Sequence, residues 1–362
     1  MEINRNYATD AKKLLHQINS KVDHKVNFME VCGTHTMAIS SSGIRQSVDK
    51  RVKLLSGPGC PVCVTPQEDI DLAISLAAQK DVVIVTFGDM MRVPGSESSL
   101  EKEKAKGRDI RMVYSALDGL KIAQKEKTKK IIFLGVGFET TAPTIAAAVI
   151  LAKENKVNNF FVLALFKLIP PALRMIASAP NLKIDGFILP GHVSTIIGSE
   201  PYEFLARDFK KPCVITGFET LDILQAIYLL IDQMKTIPKV EIQYRRSVKP
   251  DGNVQAKKVM NRVFSAADSN WRGIGPIEQS GLVFNSEFQN FDAKHYFGLK
   301  TKKAKTIRLR RTCRCGDVLL GLIIPPECRQ FAKACTPENP IGPCIVSSEG
   351  ACAAYYKYEI KH

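Results

Sequence analysis

No stretch of this 362-residue sequence is apolar for long enough to span a bilayer. The longest apolar run, Ala142 to Ala152, is about half of what a spanning helix needs. The first residues also lack the apolar segment of a secretory signal. Met1 to Asp23 is polar and charged, with Ala11, Leu14, Leu15 and Ile18 spaced as one face of a short amphipathic helix. A cytoplasmic protein without a membrane anchor is expected. Low-complexity tracts are absent. No Walker loop, G-x-G-x-x-G or G-x-S-x-G occurs, so nucleotide-dependent and serine-hydrolase chemistry has no support. Acidic side chains are short of basic ones, 36 against 51, for a formal charge of +15. The basic residues are scattered, as in Lys125–Lys130 and Lys300–Lys305, with no RNA-binding aromatic signature beside them. The excess reads as a solvated surface that suits an acidic protein partner, rather than as a nucleic-acid footprint.

Cysteine, by contrast, is abundant. Ten occur, and without an export signal they point to metal ligands or redox groups rather than structural disulfides. Nine fall in three clusters: Cys32, then Cys60 and Cys63, then six from Cys313 to Cys352. Cys213 stands alone on an apolar run and reads as a small buried side chain.

With 45% apolar and 24% charged residues the composition is globular, and the length allows two or three domains. The first two thirds alternate helical patterns with short apolar runs: Phe28–Val31, Val82–Phe87, Ile131–Val136, Phe160–Leu165, Gly186–Leu189 and Cys213–Thr216. Such near-continuous runs suit parallel strands covered on both faces, in βαβ units. Thr65-Pro66-Gln67-Glu68 has capping-box spacing with Pro at the first helical position, starting a helix that runs to about Gln79. Gly137-Phe138-Glu139-Thr140 and Gly217-Phe218-Glu219-Thr220 form an internal echo, each between a strand and a helix, where open α/β sheets place their sites. Beyond about Val240 the periodicity weakens and Gly, Pro and Cys accumulate. The expected fold is α/β: a helix over 1–24, parallel-sheet units over 25–118 and 119–238, and a loop-rich C-terminal domain over 239–362 organised partly by metal.

Cys313, Cys328, Cys335 and Cys352 are separated by 14, 6 and 16 residues, with stiff Pro-rich turns between them. Four thiolates suit a [4Fe–4S] cluster or tetrahedral zinc. Two tight Cys-x2–4-Cys pairs, usual for structural zinc, are missing, which favours the cluster. Cys315 and Cys344 lie close by, so spacing alone does not choose four of the six. Cys60-Pro61-Val62-Cys63 is a Cys-x-x-Cys pair before the Pro66 helix: a reversible dithiol, half a metal site, or a structural pair. Cys32 and His35 in Glu30-Val31-Cys32-Gly33-Thr34-His35-Thr36 suit a nucleophile–base pair, two metal ligands, or packing at a strand end. His192 in Pro190-Gly191-His192-Val193-Ser194 follows an apolar strand, as a site residue or an ordinary loop histidine. Glu349, in Ser347-Ser348-Glu349-Gly350-Ala351-Cys352, is a proton carrier or a cap.

Together, Phe28 to Thr36, Gly57 to Cys63, Gly135 to Thr144, Pro190 to Ser194 and Cys335 to Tyr356 resemble the HypD family of hydrogenase maturation factors over nearly the whole chain. The resemblance implies a redox-active assembly scaffold rather than a conventional turnover enzyme. With a small HypC chaperone it would hold one iron while two cyanides and one carbon monoxide are added, the transient Fe(CN)2CO unit. Cyanide would come from HypE, loaded by HypF, and the unit would pass to the [NiFe]-hydrogenase large subunit. The family pattern assigns the [4Fe–4S] ligands to Cys313, Cys328, Cys335 and Cys352, the iron ligand to Cys32 and the redox pair to Cys60 and Cys63. His35 is then a neighbour or second ligand of the iron, and His192 and Glu349 candidate catalytic proton carriers. Phe166-Lys167 departs from expectation, since a more polar residue was due before the lysine. Two other readings stand beside this one: a generic iron–sulfur thiol–disulfide oxidoreductase, and a zinc-containing nucleic-acid-binding protein.

Overall fold

The computed structural model describes residues 2–299 and 313–360, with side chains from residue 7 onward; the Lys300–Lys305 basic run lies outside the described residues. Eleven strands are present among them: β1 Val26–Glu30, β2 Val52–Ser56, β3 Val82–Thr86, β4 Ile110–Met112, β5 Lys130–Gly135, β6 Phe160–Ala164, β7 Gly186–Pro190, β8 Cys213–Thr216, β9 Val240–Ile242, β10 Phe264–Trp271 and β11 Gly275–Phe284. All six apolar runs read from the sequence are strands. They form two wholly parallel sheets, ordered β2-β1-β7-β8-β9 and β4-β3-β5-β6, while β10 and β11 make an antiparallel hairpin.

The sheets do not divide the chain at residue 118. The first takes two strands from before the second sheet's segment and three from after it, and the second straddles the expected boundary. Pairing of β1 with β7, Phe28 opposite Gly186, closes this arrangement. The first sheet also extends to β9, beyond residue 238.

Strand alternation sends side chains to opposite faces. On the outer face of the first sheet, Phe28, Leu54, Ile188 and Val214 pack with Ile18 of the helix Glu2–Lys21 and with the helix Thr220–Gln233. The inner face, with Met29, Leu55, Phe187 and Ile215, shares one core with Ile84, Ile132, Leu134 and Leu163 of the second sheet. That shared core runs into Cys60, Cys63, Cys315 and Cys344. The far face of the second sheet packs on the helices Ala116–Lys125 and Ala142–Glu154.

Residues 240–299 are not loop-rich. A helix Val254–Val263 leads into the hairpin, and Phe264, Phe288 and Phe291 complete the second sheet's core. Phe166 packs edge-on to Phe264 at 5.1 Å, and Lys167, which follows it, donates from Nζ to Ser269 Oγ at 2.6 Å. An apolar residue at 166 therefore suits its place. Residues 313–350 are loop-rich, with only short helical turns.

Neither sheet is complete within residues 1–118, which hold two strands of each. A 1–118 fragment should show no cooperative thermal transition by circular dichroism. A fragment that melts cooperatively would contradict the interleaved arrangement.

Candidate functional site

Parallel strands send their C-terminal loops to one edge, and the first sheet brings four candidate segments there. Cys32 follows β1, Gly57–Cys60 follow β2, His192 follows β7 and Gly217–Phe218 follow β8. The loops after β1 and β2 touch through their backbones: Gly33 N–H donates to the Gly59 carbonyl at 2.9 Å. A Cβ on Gly59 would stand 2.1 Å from the Cys32 nitrogen, so only glycine fits.

Cys32 caps the nine-residue helix Gly33–Ser41 and is 7% exposed. Its N–H donates to Glu30 Oε2 at 3.0 Å, and Thr36 Oγ1 donates to the other Glu30 oxygen. Burial pushes the thiol up to about 12; the backbone amides of His35 and Thr34 oppose it, favouring thiolate, while the Glu349 and Glu30 charges add to the rise. Burial likewise raises the Glu30 carboxyl to about 7.

The C-terminal region reaches over this loop. Thr34 Oγ1 donates to Glu349 Oε1 at 2.8 Å, and a Cβ on Gly33 would lie 2.4 Å from the Glu349 Cβ. His35 is fully buried, and its Nε2 lies 2.8 Å from the Gly217 carbonyl. A carbonyl accepts only, so Nε2 carries the hydrogen and Nδ1 is left with a buried, unpartnered lone pair. Burial lowers the His35 pKa to about 4, so the ring is neutral at pH 7. Phe218 is sandwiched between two imidazoles, 4.8 Å from His35 and 4.0 Å from the exposed His192. Burial lowers the His192 pKa, with the Glu349 charge opposing.

Cys60 caps a helical turn, Pro61–Val64, that contains Cys63. Thr65 Oγ1 donates to the Pro61 carbonyl inside that turn, which leaves Pro66 to cap the following helix, Gln67–Ala77. The Cys63 thiol donates to Cys60 Sγ at 2.6 Å. Burial, then hydrogen bonding to Cys344, holds Cys63 well above the usual thiol range. Cys344 in turn neighbours Cys315, and Cys315 neighbours Cys313. An unbroken run of thiols thus leads from Cys60 to Cys313. Cys313, Cys315, Cys328, Cys335, Cys344 and Cys352 line one cavity. Among the described residues, no three His, Cys, Asp or Glu side chains close around a single metal ion. Cys213 is buried in β8, away from these groups.

The description "HypD: Hydrogenase formation hypA family" matches residues 9–359. The chain is 46% identical to "Hydrogenase maturation factor HypD" of Cupriavidus necator, covering 92% of this chain and 90% of that protein. The factor of the same name from Escherichia coli K12 is 44% identical, covering 93% and 90%, and that of Rhizobium leguminosarum bv. viciae is 44% identical, covering 96% and 92%. The chain belongs to the HypD family of hydrogenase maturation factors. Among the described residues no helix is long and apolar enough to cross a membrane.

For this HypD family member the sequence left several site residues unassigned. The second copy of the Gly-Phe-Glu-Thr echo pointed to Phe218 and Gly217. Glu30 and Thr34 lay inside a recognised motif. Cys315 and Cys344 were visible without a role.

The first echo supplies Glu139, buried, with Oε1 accepting from the Ile169 N–H at 2.9 Å and Oε2 unpartnered. Burial raises its carboxyl from 4.5 to about 7. Between those values the folded chain keeps a proton that the unfolded chain releases, so Glu139 makes stability fall as pH rises. Glu139→Gln should remove roughly 3 kcal/mol of that decline, read from urea midpoints across the window. A variant with the wild-type pH slope would contradict the assignment.

Proposed function

We propose that this chain is the scaffold on which the iron–cyanide–carbonyl unit of [NiFe]-hydrogenase is built. In this reading Cys32 holds the iron while two cyanides and one carbon monoxide are added. Electrons pass through the Cys60/Cys63 dithiol from a [4Fe–4S] cluster on Cys313, Cys328, Cys335 and Cys352. The observation that carries it is the run of thiols from Cys60 through Cys63, Cys344 and Cys315 to Cys313, with the Cys32 loop bonded to the Cys60 loop through Gly59.

The donor set fits a cluster, since soft thiolates around one cavity are what iron–sulfur centres use. When bound, the cluster supplies electrons one at a time. The Cys60/Cys63 pair handles two electrons and two protons between dithiol and disulfide. Cys315 and Cys344 bridge the gap between them. Both sulfurs of the pair are buried, Cys60 at 3% and Cys63 at 0% exposure, which argues against turnover of a soluble disulfide substrate.

Cys32 stays protonated until iron displaces the proton, and the amides of Thr34 and His35 then stabilise the thiolate. A single protein thiolate leaves most positions of the iron open to three diatomic ligands and to a ligand from a HypC-type chaperone. The neutral His35 offers the lone pair of its free Nδ1, as a ligand or a proton acceptor. Glu349 and His192 stand at the same edge as proton carriers. HypE, loaded by HypF, is the cyanide donor in this scheme, and the large subunit the recipient. The basic surface suits acidic partners.

Infrared spectroscopy of anaerobically purified protein tests the scaffold role. Cys32→Ala should lose the cyanide and carbonyl bands and keep about four iron and four sulfide per chain from the cluster. Bands at full intensity in the variant would remove Cys32 from the role. Thiol trapping across a redox titration should show Cys60 and Cys63 disappearing together in one two-electron step. Independent alkylation at every potential would leave the pair a structural part only.

A further inference from the structure

Arg272 begins the turn between β10 and β11 and is 6% exposed. Its two terminal nitrogens share one weak acceptor, the Pro94 carbonyl, at 3.4 Å each. Its Nε has no partner. Among the described residues no carboxylate lies within 4.0 Å of the guanidinium. Taking a cation out of water without a counter-charge is strongly unfavourable, so negative charge is expected close by.

The hairpin turn is fixed from three sides. Trp271 Nε1 donates to Ser280 Oγ at 2.8 Å and its ring stacks on Phe138 at 6.1 Å. The Arg272 N–H donates to the Val64 carbonyl at 2.8 Å, one residue past Cys63. Gly273, in the left-handed region at φ 75°, packs backbone to backbone on Gly316, where a Cβ would stand 2.1 Å from the Gly273 oxygen. Arg272 is thereby placed between the Cys60/Cys63 turn and Cys315. It lines a cleft together with Cys313 and Cys315.

The cleft is also lined by the exposed carboxylates of Glu97, Glu101 and Glu338, none of them ion-paired with Arg272, and by serines that are already engaged. Ser96 Oγ donates to Asp71, Ser98 Oγ donates to Glu103, and Ser99 Oγ accepts from the Lys102 N–H. No carboxylate of the cleft pairs with Arg272, and the groups beside it on its other side are the thiols of Cys313 and Cys315.

We infer that Arg272 is the counter-cation of the C-terminal thiolates, a positioning residue that makes the cluster they hold easier to reduce. This rests on the iron–sulfur reading above. With four thiolates, a [4Fe–4S] centre goes from a double to a triple negative charge on taking one electron. A fixed positive charge beside it stabilises the triply charged state more, which raises the reduction potential. Because the same residue is bonded to Val64, the charge also sits where the thiol run meets the cluster ligands.

The test uses the full chain, purified without oxygen, as wild type, Arg272→Lys and Arg272→Gln. Iron and sulfide are assayed first, and the midpoint is then read by electron paramagnetic resonance during a dithionite titration with mediators. Arg272→Gln should keep the cluster and titrate at a more negative potential. At the wild-type midpoint its reduced-to-oxidised ratio should fall about tenfold. Arg272→Lys should stay near wild type. Wild-type protein without iron and sulfide would defeat the iron–sulfur reading itself. A loaded Arg272→Gln protein with an unchanged midpoint would overturn the counter-cation role alone. If Arg272→Gln loses its cluster, the lysine variant decides. A loaded lysine variant at the wild-type midpoint supports the role, and one that also loses the cluster shows that Arg272 serves packing instead.

Discussion

The candidate site depends on one backbone contact, the Gly33 amide on the Gly59 carbonyl. β1 and β2 are parallel neighbours, so their exits already lie side by side. The hydrogen bond then locks the Cys32 loop to the Cys60 loop at a separation that no side chain could share. Glu349 closes over the same spot through Thr34, and brings the C-terminal cysteine region with it. Loosening this contact would separate the proposed iron ligand from the dithiol, whatever became of the sheets beneath.

Several buried groups here run against the ordinary rules of folding. Glu30 and Glu139 are carboxyls raised to about 7 by burial, His35 keeps an orphaned nitrogen, and Arg272 has no acid beside it. A core chosen for stability alone would replace such groups with apolar ones. Three of them gather around the Cys32 loop or the thiol run. Local departures of this kind are expected where a chain must bind and react as well as fold.

Strands with continuous apolar runs were legible because burial on both faces leaves nothing to alternate. β2, β4 and β9 are short or carry polar residues, and β10, Phe-Ser-Ala-Ala-Asp-Ser-Asn-Trp, is buried mainly at its two ends, so periodicity missed them. The interleaving of the sheets was not legible either. Which strands pair across a long stretch of chain is settled by packing, and the sequence rhythm is the same for either partition. Within the candidate site, the cysteine clusters and motif histidines stood out by residue type and spacing alone. Arg272 carried no local signal, because its placement comes from a hairpin turn held against Val64 and Gly316.

The interleaved sheets also set an order of events on the ribosome. The β1–β2 pair leaves the exit tunnel long before β7, about 130 residues later, can pair with β1. At roughly 5–20 residues per second that delay is roughly 7 to 27 seconds. Throughout it Cys32, Cys60 and Cys63 lie on an unfinished nascent chain, open to oxidants and to stray metal. Reducing surroundings, or a chaperone that shields the emerging segment, would protect the three thiols until β7 and β8 dock and the C-terminal region closes over them.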